Sequence, residues 1–260
     1  MSVLPLSVVV VASNESARIG RCLASVQGWA AEIVVALNNS TDATEQIARS
    51  YGARIEPVEW IGYRDTKNVA LGFATQDWVL ALDADEEVSA PLRAEILAFF
   101  SGDGHRRFHG ARFPRKVWFI NRWITHGDWY PDWSLRLFRR DSARWGGSPE
   151  HDKIELTGKT VRLRGDLYHY SFPSLSSHVA KINGFADYFL QRQLEARKSW
   201  RLFPCLFRPG WRFFRAYILR RGFLDGYPGF YIACATAFAT FVRYSRLYEA
   251  EKGSADEIHK

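Results

Sequence analysis

The chain has 260 residues, enough for one α/β domain or for one domain with an appendage, and its 47% apolar content is ordinary for a globular protein. No run of eighteen apolar residues occurs, which argues against a spanning helix, and Cys22, Cys205 and Cys234 form neither a disulfide framework nor a zinc pattern. Met1 to Val11 lacks the basic start of a secretory signal, so a reducing cytoplasm is the expected compartment.

The first hundred residues alternate strand and helix. Leu6–Ala12 reads as an apolar strand, Ser13-Asn14-Glu15 as a polar loop and cap, and Ala17–Val26 as a helix. Glu32–Leu37 is a second strand, Asn38 to Asp42 a turn, and a helix follows to Tyr51. Arg54–Val58 is a short strand, Asp65–Phe73 a helix, Trp78–Leu82 the fourth strand, and Pro91–Phe100 a helix with its proline in the first turn. This alternation predicts an α/β fold with a mostly parallel sheet, flanking helices and right-handed crossovers. After a linker at Ser101–Gly104, Ala111–Phe119 and Ser134–Arg139 read as strands set among Gly- and Trp-rich loops, and Val161–Arg164 with Asp166–Tyr170 as a further strand pair. Helices are expected over Leu175–Lys198, Pro209–Leu219 and Pro228–Glu251, a helical C-terminal appendage. Gly253 to Lys260 reads as a frayed tail.

The strongest chemical signal lies at residues 78–87. An apolar run ends in Asp83 and Asp85, one residue apart, with Glu86 and Glu87 behind them. Ligands of open α/β sheets bind at the carboxyl ends of strands. Clustered acids at such an end suit Mg²⁺ or Mn²⁺ and a phosphate-bearing substrate. The alternative is a solvated acidic turn that starts the next helix.

The net charge of +7 is unevenly spread. Between Ala196 and Leu224 there are eight basic residues, many interleaved with aromatics, and no acid. Such a segment suits an anionic membrane surface; in the alternative reading its aromatics are core and its arginines solvated. Nucleic acid is not expected as a partner, because no nucleic-acid-binding motif is present.

Several segments together carry a family resemblance. They are Val8 through Glu15, Ser40-Thr41-Asp42-Ala43-Thr44, Glu59 through Tyr63, Lys67-Asn68-Val69-Ala70 and Trp78 through Glu87. Tyr130-Pro131-Asp132, Arg136 through Arg140, His151-Asp152 and His169-Tyr170-Ser171-Phe172 follow. In order and spacing the chain resembles an inverting family 2 glycosyltransferase of GT-A (Rossmann-like) fold. More narrowly, it resembles the lipopolysaccharide inner-core beta-1,4-glucosyltransferase subgroup. The resemblance spans nearly the whole chain. It implies a catalytic domain over residues 1–172, with the nucleotide-sugar half at 1–100 and the acceptor half at 111–172; the helical region at 173–252 is a candidate for membrane association through its basic, aromatic-rich segment. The resemblance also implies a nucleotide-sugar donor, usually UDP-linked, and a lipid-linked glycan acceptor at the inner face of the cell membrane. Glucose is expected as the sugar from family position alone.

By position, the resemblance implies that Ala12, Ser13 and Glu15 line the base and ribose pocket, Asp83 approaches the ribose or diphosphate, and Asp85 and His169 hold the metal. Lys67 would neutralise the diphosphate; its alternative is an exposed helix lysine. One departure stands out: family members usually carry an Asp at the end of the second strand, where this chain has Leu37, followed by Asn38 and Asn39. Asn38 can still hydrogen-bond a base edge or ribose hydroxyl. The departure leaves open another nucleotide or a non-catalytic relic.

Inverting transfer needs a base for the acceptor hydroxyl. The resemblance puts Asp152 first, Asp132 second and Glu150 third. The structural alternatives are pairing of Asp132 with Arg136, and of Asp152 with Lys153 or Arg139. Trp118, Trp123, Trp129, Tyr130 and Trp133 suit sugar rings or plain core packing. Other acceptors, such as a capsule or exopolysaccharide precursor or a peptide, fit the same donor chemistry. A sugar nucleotidyltransferase fits less well, because Ser13-Asn14-Glu15-Ser16 is not a glycine-rich loop.

Overall fold

Val8–Val11 and Val79–Leu82 are apolar at consecutive positions, and a strand apolar on both faces belongs inside a sheet covered on both sides. The computed structural model describes residues 3–148, 151–172 and 174–256, without the side chains of Ser148, His151, Asp152, Phe185 and residues 254–256. Its contacts divide into two compact units, residues 1–116 with 132–170 and residues 117–131 with 171–260.

The first unit opens with β1 (Leu4–Ala12), α1 (Ile19–Val26), β2 (Ala30–Leu37), α2 (Thr44–Ser50), β3 (Arg54–Pro57), α3 (Tyr63–Gly72) and β4 (Trp78–Asp83). These strands pair in parallel in the order β3-β2-β1-β4. The order reverses beside β1, so the loops leaving β1 and β4 diverge and open a crevice at their carboxyl ends. One face of the sheet packs Leu6, Val8, Val10, Leu80 and Leu82 against Ile19, Leu23 and Val26 of α1. The other packs Val9, Val79 and Ala81 against Ala70 and Leu71 of α3.

β5 (Glu86–Val88), α4 (Ala90–Ser101) and a one-turn α5 (Gly104–Arg107) follow. The Ser89 hydroxyl caps α4 by accepting from the Leu92 N–H at 3.2 Å. The mostly antiparallel remainder comprises β6 (Gly110–Phe119), β7 (Arg122–Trp123), β8 (Asp132–Arg139), β9 (Ala143–Ser148), β10 (His151–Leu156), β11 (Thr160–Arg162) and β12 (Leu167–His169). β8 runs antiparallel to β4 and to β6, and the sheet continues through β12 to β5.

The second unit holds α6 (Leu175–Glu195), α7 (Leu202–Phe214) with a π turn at Arg215–Leu219, and α8 (Gly226–Asp256); α6 and α7 both pack on α8. Its core is small: Val117, Phe119, Ile124 and Ile232. The buried Asp225 ties the turn before α8 to the loop at 125–126, accepting from the Thr125 hydroxyl at 2.9 Å and the His126 N–H at 2.8 Å. Among the described residues no helix is long and apolar enough to cross a membrane.

The α/β reading and the order of the first four strands match the structure, with boundaries moved by one to a few residues. Three expectations need correction. Val161–Arg164 and Asp166–Tyr170 do not pair with each other: β11 lies parallel to β6, and β12 lies antiparallel to β5. Residues 143–148 and 151–156 are not loop but the antiparallel pair β9 and β10, which buries Trp145 and Ile154 beside Phe138. The helix expected from Pro209 begins at Leu202, with Pro209 inside it; burial of Cys205 holds the preceding turns in place despite the proline.

Leu80 has no exposed surface and sits mid-strand in the central β4. Leu80→Ala should therefore lower unfolding free energy by ~3 kcal/mol in urea denaturation, the usual cost of a buried Leu-sized cavity.

Candidate active site

The carboxyl ends of β2, β1 and β4 lie side by side, because Ala12 is in register with Leu37 and Val11 with Asp83. Above this edge the two loops following β1 and β2 are stitched together. Asn14, at φ +53°, donates its N–H to the Ser40 hydroxyl at 3.0 Å and accepts from the Thr41 N–H at 2.9 Å. Asp42 accepts from the N–H groups of Ser16 at 3.1 Å and Thr44 at 3.0 Å. Glu15 donates its N–H to the Thr44 hydroxyl at 2.7 Å, and its carboxylate accepts from the Arg18 guanidinium at 2.7 and 2.9 Å. Burial raises the Glu15 carboxyl above its ordinary value, only partly offset by Arg18. Ala12 and Asn38 are bonded through the Asn38 N–H to the Ala12 carbonyl at 2.9 Å, and Ser13 lies exposed beside them. The Leu37 side chain, at the position of the usual family acid, is part of the apolar core.

β4 ends in a charge network. The Asp83 carboxylate receives Lys67 Nζ at 2.8 Å and Arg136 Nη2 at 2.6 Å. Arg136 also reaches Glu86 at 2.8 Å, and Arg115 reaches both Glu86 at 3.3 Å and Asp132 at 2.8 Å. Glu86 is buried and accepts the Asp83 N–H at 3.0 Å. Burial pushes the Asp83 carboxyl up, but Arg136, Lys67 and Arg115 outweigh it and hold the group well below the usual carboxylate range. Lys67 is mostly buried, with its ammonium 4.4 Å from the Trp145 ring centre, so the exposed-lysine reading is overturned. The Asn68 side chain fixes that tryptophan through two 2.9 Å bonds to its backbone.

Asp85 faces a different partner. β12 returns beside β5, pairing His169 with Glu86, and the Tyr170 N–H binds the Asp85 carbonyl at 2.9 Å. This sets His169 Nε2 3.5 Å from Asp85 Oδ1, with Arg18 at 3.8 Å from the other oxygen. Burial raises the Asp85 carboxyl, yet His169 and Arg18 bring it below its ordinary value. Next to them Glu87 accepts the Tyr170 hydroxyl at 2.9 Å, and burial with this carboxylate pushes the phenol up to about 12.

A divalent metal fits this corner through few protein donors. Among the described residues no cluster of three acids, histidines or cysteines is arranged around one point. Asp85 and His169 supply one carboxylate and one imidazole, and the buried Nδ1 of His169 has no hydrogen-bond partner among the described residues. Two protein donors suit an ion whose remaining ligands are substrate phosphate and water.

Asp132 is paired with Arg115, not with Arg136. Asp152 lies opposite Gly147 in β10, but its side chain falls outside the described residues, as does Glu150 altogether. Sequence reasoning missed Arg136 and Trp145 as parts of the site, and read Arg115 as charge for an acidic acceptor rather than as the partner of Glu86 and Asp132. The available signal was a lone arginine in the apolar stretch Leu135-Arg136-Leu137-Phe138, since a charge there demands buried partners. The free cysteine Cys22 places its thiol 3.6 Å from the Asp83 carbonyl. Burial and the neighbouring acids push that thiol well up, which leaves it unreactive.

Removing Arg136 takes one of two cationic partners from each of two carboxylates, leaving Asp83 with Lys67 and Glu86 with Arg115. Arg136→Met should cost ~3–5 kcal/mol in urea unfolding. Adding Glu86→Gln should return part of that loss, a coupling that a double-mutant cycle measures.

Residues 7–155 match the model of glycosyl transferase family 2. An uncharacterized glycosyltransferase of Rickettsia prowazekii is 31% identical, over 97% of this chain and 90% of its own length. The lipopolysaccharide core biosynthesis glycosyltransferase LpsC of Rhizobium meliloti is 28% identical, over 95% of this chain and 93% of its own. Among solved structures, S. aureus TarS 1–349 in complex with UDP-GlcNAc aligns with a TM-score of 0.48 at 16% identity, over 96% of this chain and 92% of that one. The chain therefore belongs to glycosyl transferase family 2.

Proposed function

We propose that this glycosyltransferase moves a hexose, with glucose the expected sugar, from a UDP-linked donor to a lipid-linked glycan, the lipopolysaccharide inner core, with inversion. The observation that carries the donor half of the reading is the meeting of Asp85 and His169, 3.5 Å apart, where the strand order reverses. The acceptor half rests on similarity to a relative named for lipopolysaccharide core biosynthesis.

In this reading Ala12, Ser13, Glu15 and Asn38 hold the nucleoside. Asp85 and His169 hold a divalent ion, Mg²⁺ or Mn²⁺, which when bound supplies positive charge to the departing diphosphate. Asp83 orients the ribose or diphosphate while fixed between Lys67 and Arg136, so its position costs no reorganisation during reaction. Lys67 adds a cation on the diphosphate side. The acceptor hydroxyl attacks the anomeric carbon from the face opposite the leaving group, and a carboxylate takes its proton. Asp152 is the proposed base, because the Asp132 carboxylate is engaged by Arg115. The core position of Leu37 favours a second reading, a binding relic without activity.

Thermal melting with UDP-, GDP-, CMP- and dTDP-sugars, each with and without Mn²⁺, separates these readings. A Mn²⁺-dependent rise with UDP-glucose is expected, worth about 2.7 kcal/mol at roughly a hundredfold excess over Kd. No rise with any sugar favours the relic. Asp85→Ala should abolish the metal dependence of the rise. Asp152→Asn should keep the rise but lose transfer in a radiolabelled-sugar assay, and transfer at the normal rate would remove Asp152 as the base.

A further inference from the structure

α7 turns apolar side chains outward. Phe203 is 72% exposed, Leu206 61% and Leu219 55%, and Phe207, Trp211 and Phe214 are exposed with them. Positions 203, 207, 211, 214 and 218 follow helical spacing, so they form one stripe. Folding does not need this stripe, because the helix has a second apolar side. There Cys205 and Ala216 are buried, and Phe213 and Tyr217 meet the ring of Phe230 in α8. An exposed apolar band of this kind marks a docking surface.

Charge identifies the occupant. The segment from Ala196 to Leu224 contains no acid, and Arg201, Arg208, Arg220 and Arg221 stand exposed along it. Asp128, from the loop at 127–129, gathers Arg212, Arg215 and Arg220 at 3.3, 2.8 and 3.5 Å. Three guanidiniums around one buried carboxylate leave a surplus of positive charge beside the stripe. A second copy of this chain would bring the same cations face to face, which costs energy. Nucleic acid would satisfy the arginines but leave the aliphatic Leu206, Ile218 and Leu219 without a partner. An anionic bilayer surface satisfies both, with side chains in the acyl boundary and guanidiniums at the lipid phosphates. With no helix long and apolar enough to span among the described residues, the mode is in-plane.

We propose that the outward face of α7 and its π turn lies in the plane of an anionic lipid bilayer. This deepens the reading of a lipid-linked acceptor, yet its test needs neither donor nor acceptor. Flotation of the full chain with phosphatidylcholine vesicles, with and without phosphatidylglycerol, reads the binding; Trp fluorescence reads insertion. Binding to the anionic vesicles that weakens with salt is expected. Phe203→Ser with Phe207→Ser, both at exposed positions, should weaken it at least about tenfold while the melting curve stays in place. No binding at low salt, or equal binding to neutral vesicles, overturns the proposal without reference to any variant. So does self-association in the absence of lipid that the double substitution abolishes, which would make a second copy the occupant. The thermal response to UDP-glucose is read separately, so failure here and failure of the transferase reading are distinguishable.

Discussion

Glu86 brings a carboxylate into the interior directly beneath the edge where β4 ends, and the surroundings are arranged to neutralise it. A buried charge is tolerated only when paired and hydrogen-bonded. Arg136 and Arg115 supply the pairing, and the Asp83 N–H supplies a further bond. Because Arg136 is shared, Asp83 is drawn into the same network, and Lys67 closes it from α3. The last residue of β4 thus has a fixed side-chain position without any ligand. Preorganised charge of this kind spares a site the cost of reorienting during reaction.

The network exists because of strand pairing. β8 runs antiparallel to β4, which carries Arg136 to the carboxyl end of the parallel strands. β12 pairs with β5, which carries His169 to Asp85 across a long sequence separation. One sheet therefore delivers two chemically distinct corners. Asp83 is surrounded by cations and held, while Asp85 faces an imidazole whose other ring nitrogen has no hydrogen-bond partner among the described residues. The neighbouring loops after β1 and β2 are cross-linked by short polar side chains, so the rest of the edge is equally constrained.

The second unit uses the same physics on a smaller core. Asp225 and Asp128, both nearly inaccessible, anchor backbone amides and arginines where apolar packing is sparse. Asp128 concentrates the arginines of α7 and the turn after it on one side of the helix. The aromatic residues of that helix divide into those packed on α8 and those turned outward.

How much of this was legible in the sequence follows from range. Continuous apolar runs such as Val8–Val11 and Val79–Leu82 determined the parallel strands, and the apolar periodicity between them marked the helices, because both signals are local; the cap expected at Ser13-Asn14-Glu15 is not one, since α1 begins after Arg18 with no side-chain cap. Asp83 and Asp85 were visible as acids at a strand end, and the family motifs named His169 as their companion. Local reading failed where pairing partners are distant. The strand pair at 143–148 and 151–156 was hidden among glycines, and the true partners of β11 and β12 carry no sequence mark. Arg136 was readable as an odd charge in an apolar strand, but its choice of Asp83 and Glu86 over Asp132 was not. Only the tertiary structure decided that, because an ion pair depends on which side chains a sheet register brings within about 4 Å, and register is a property of the assembled sheet.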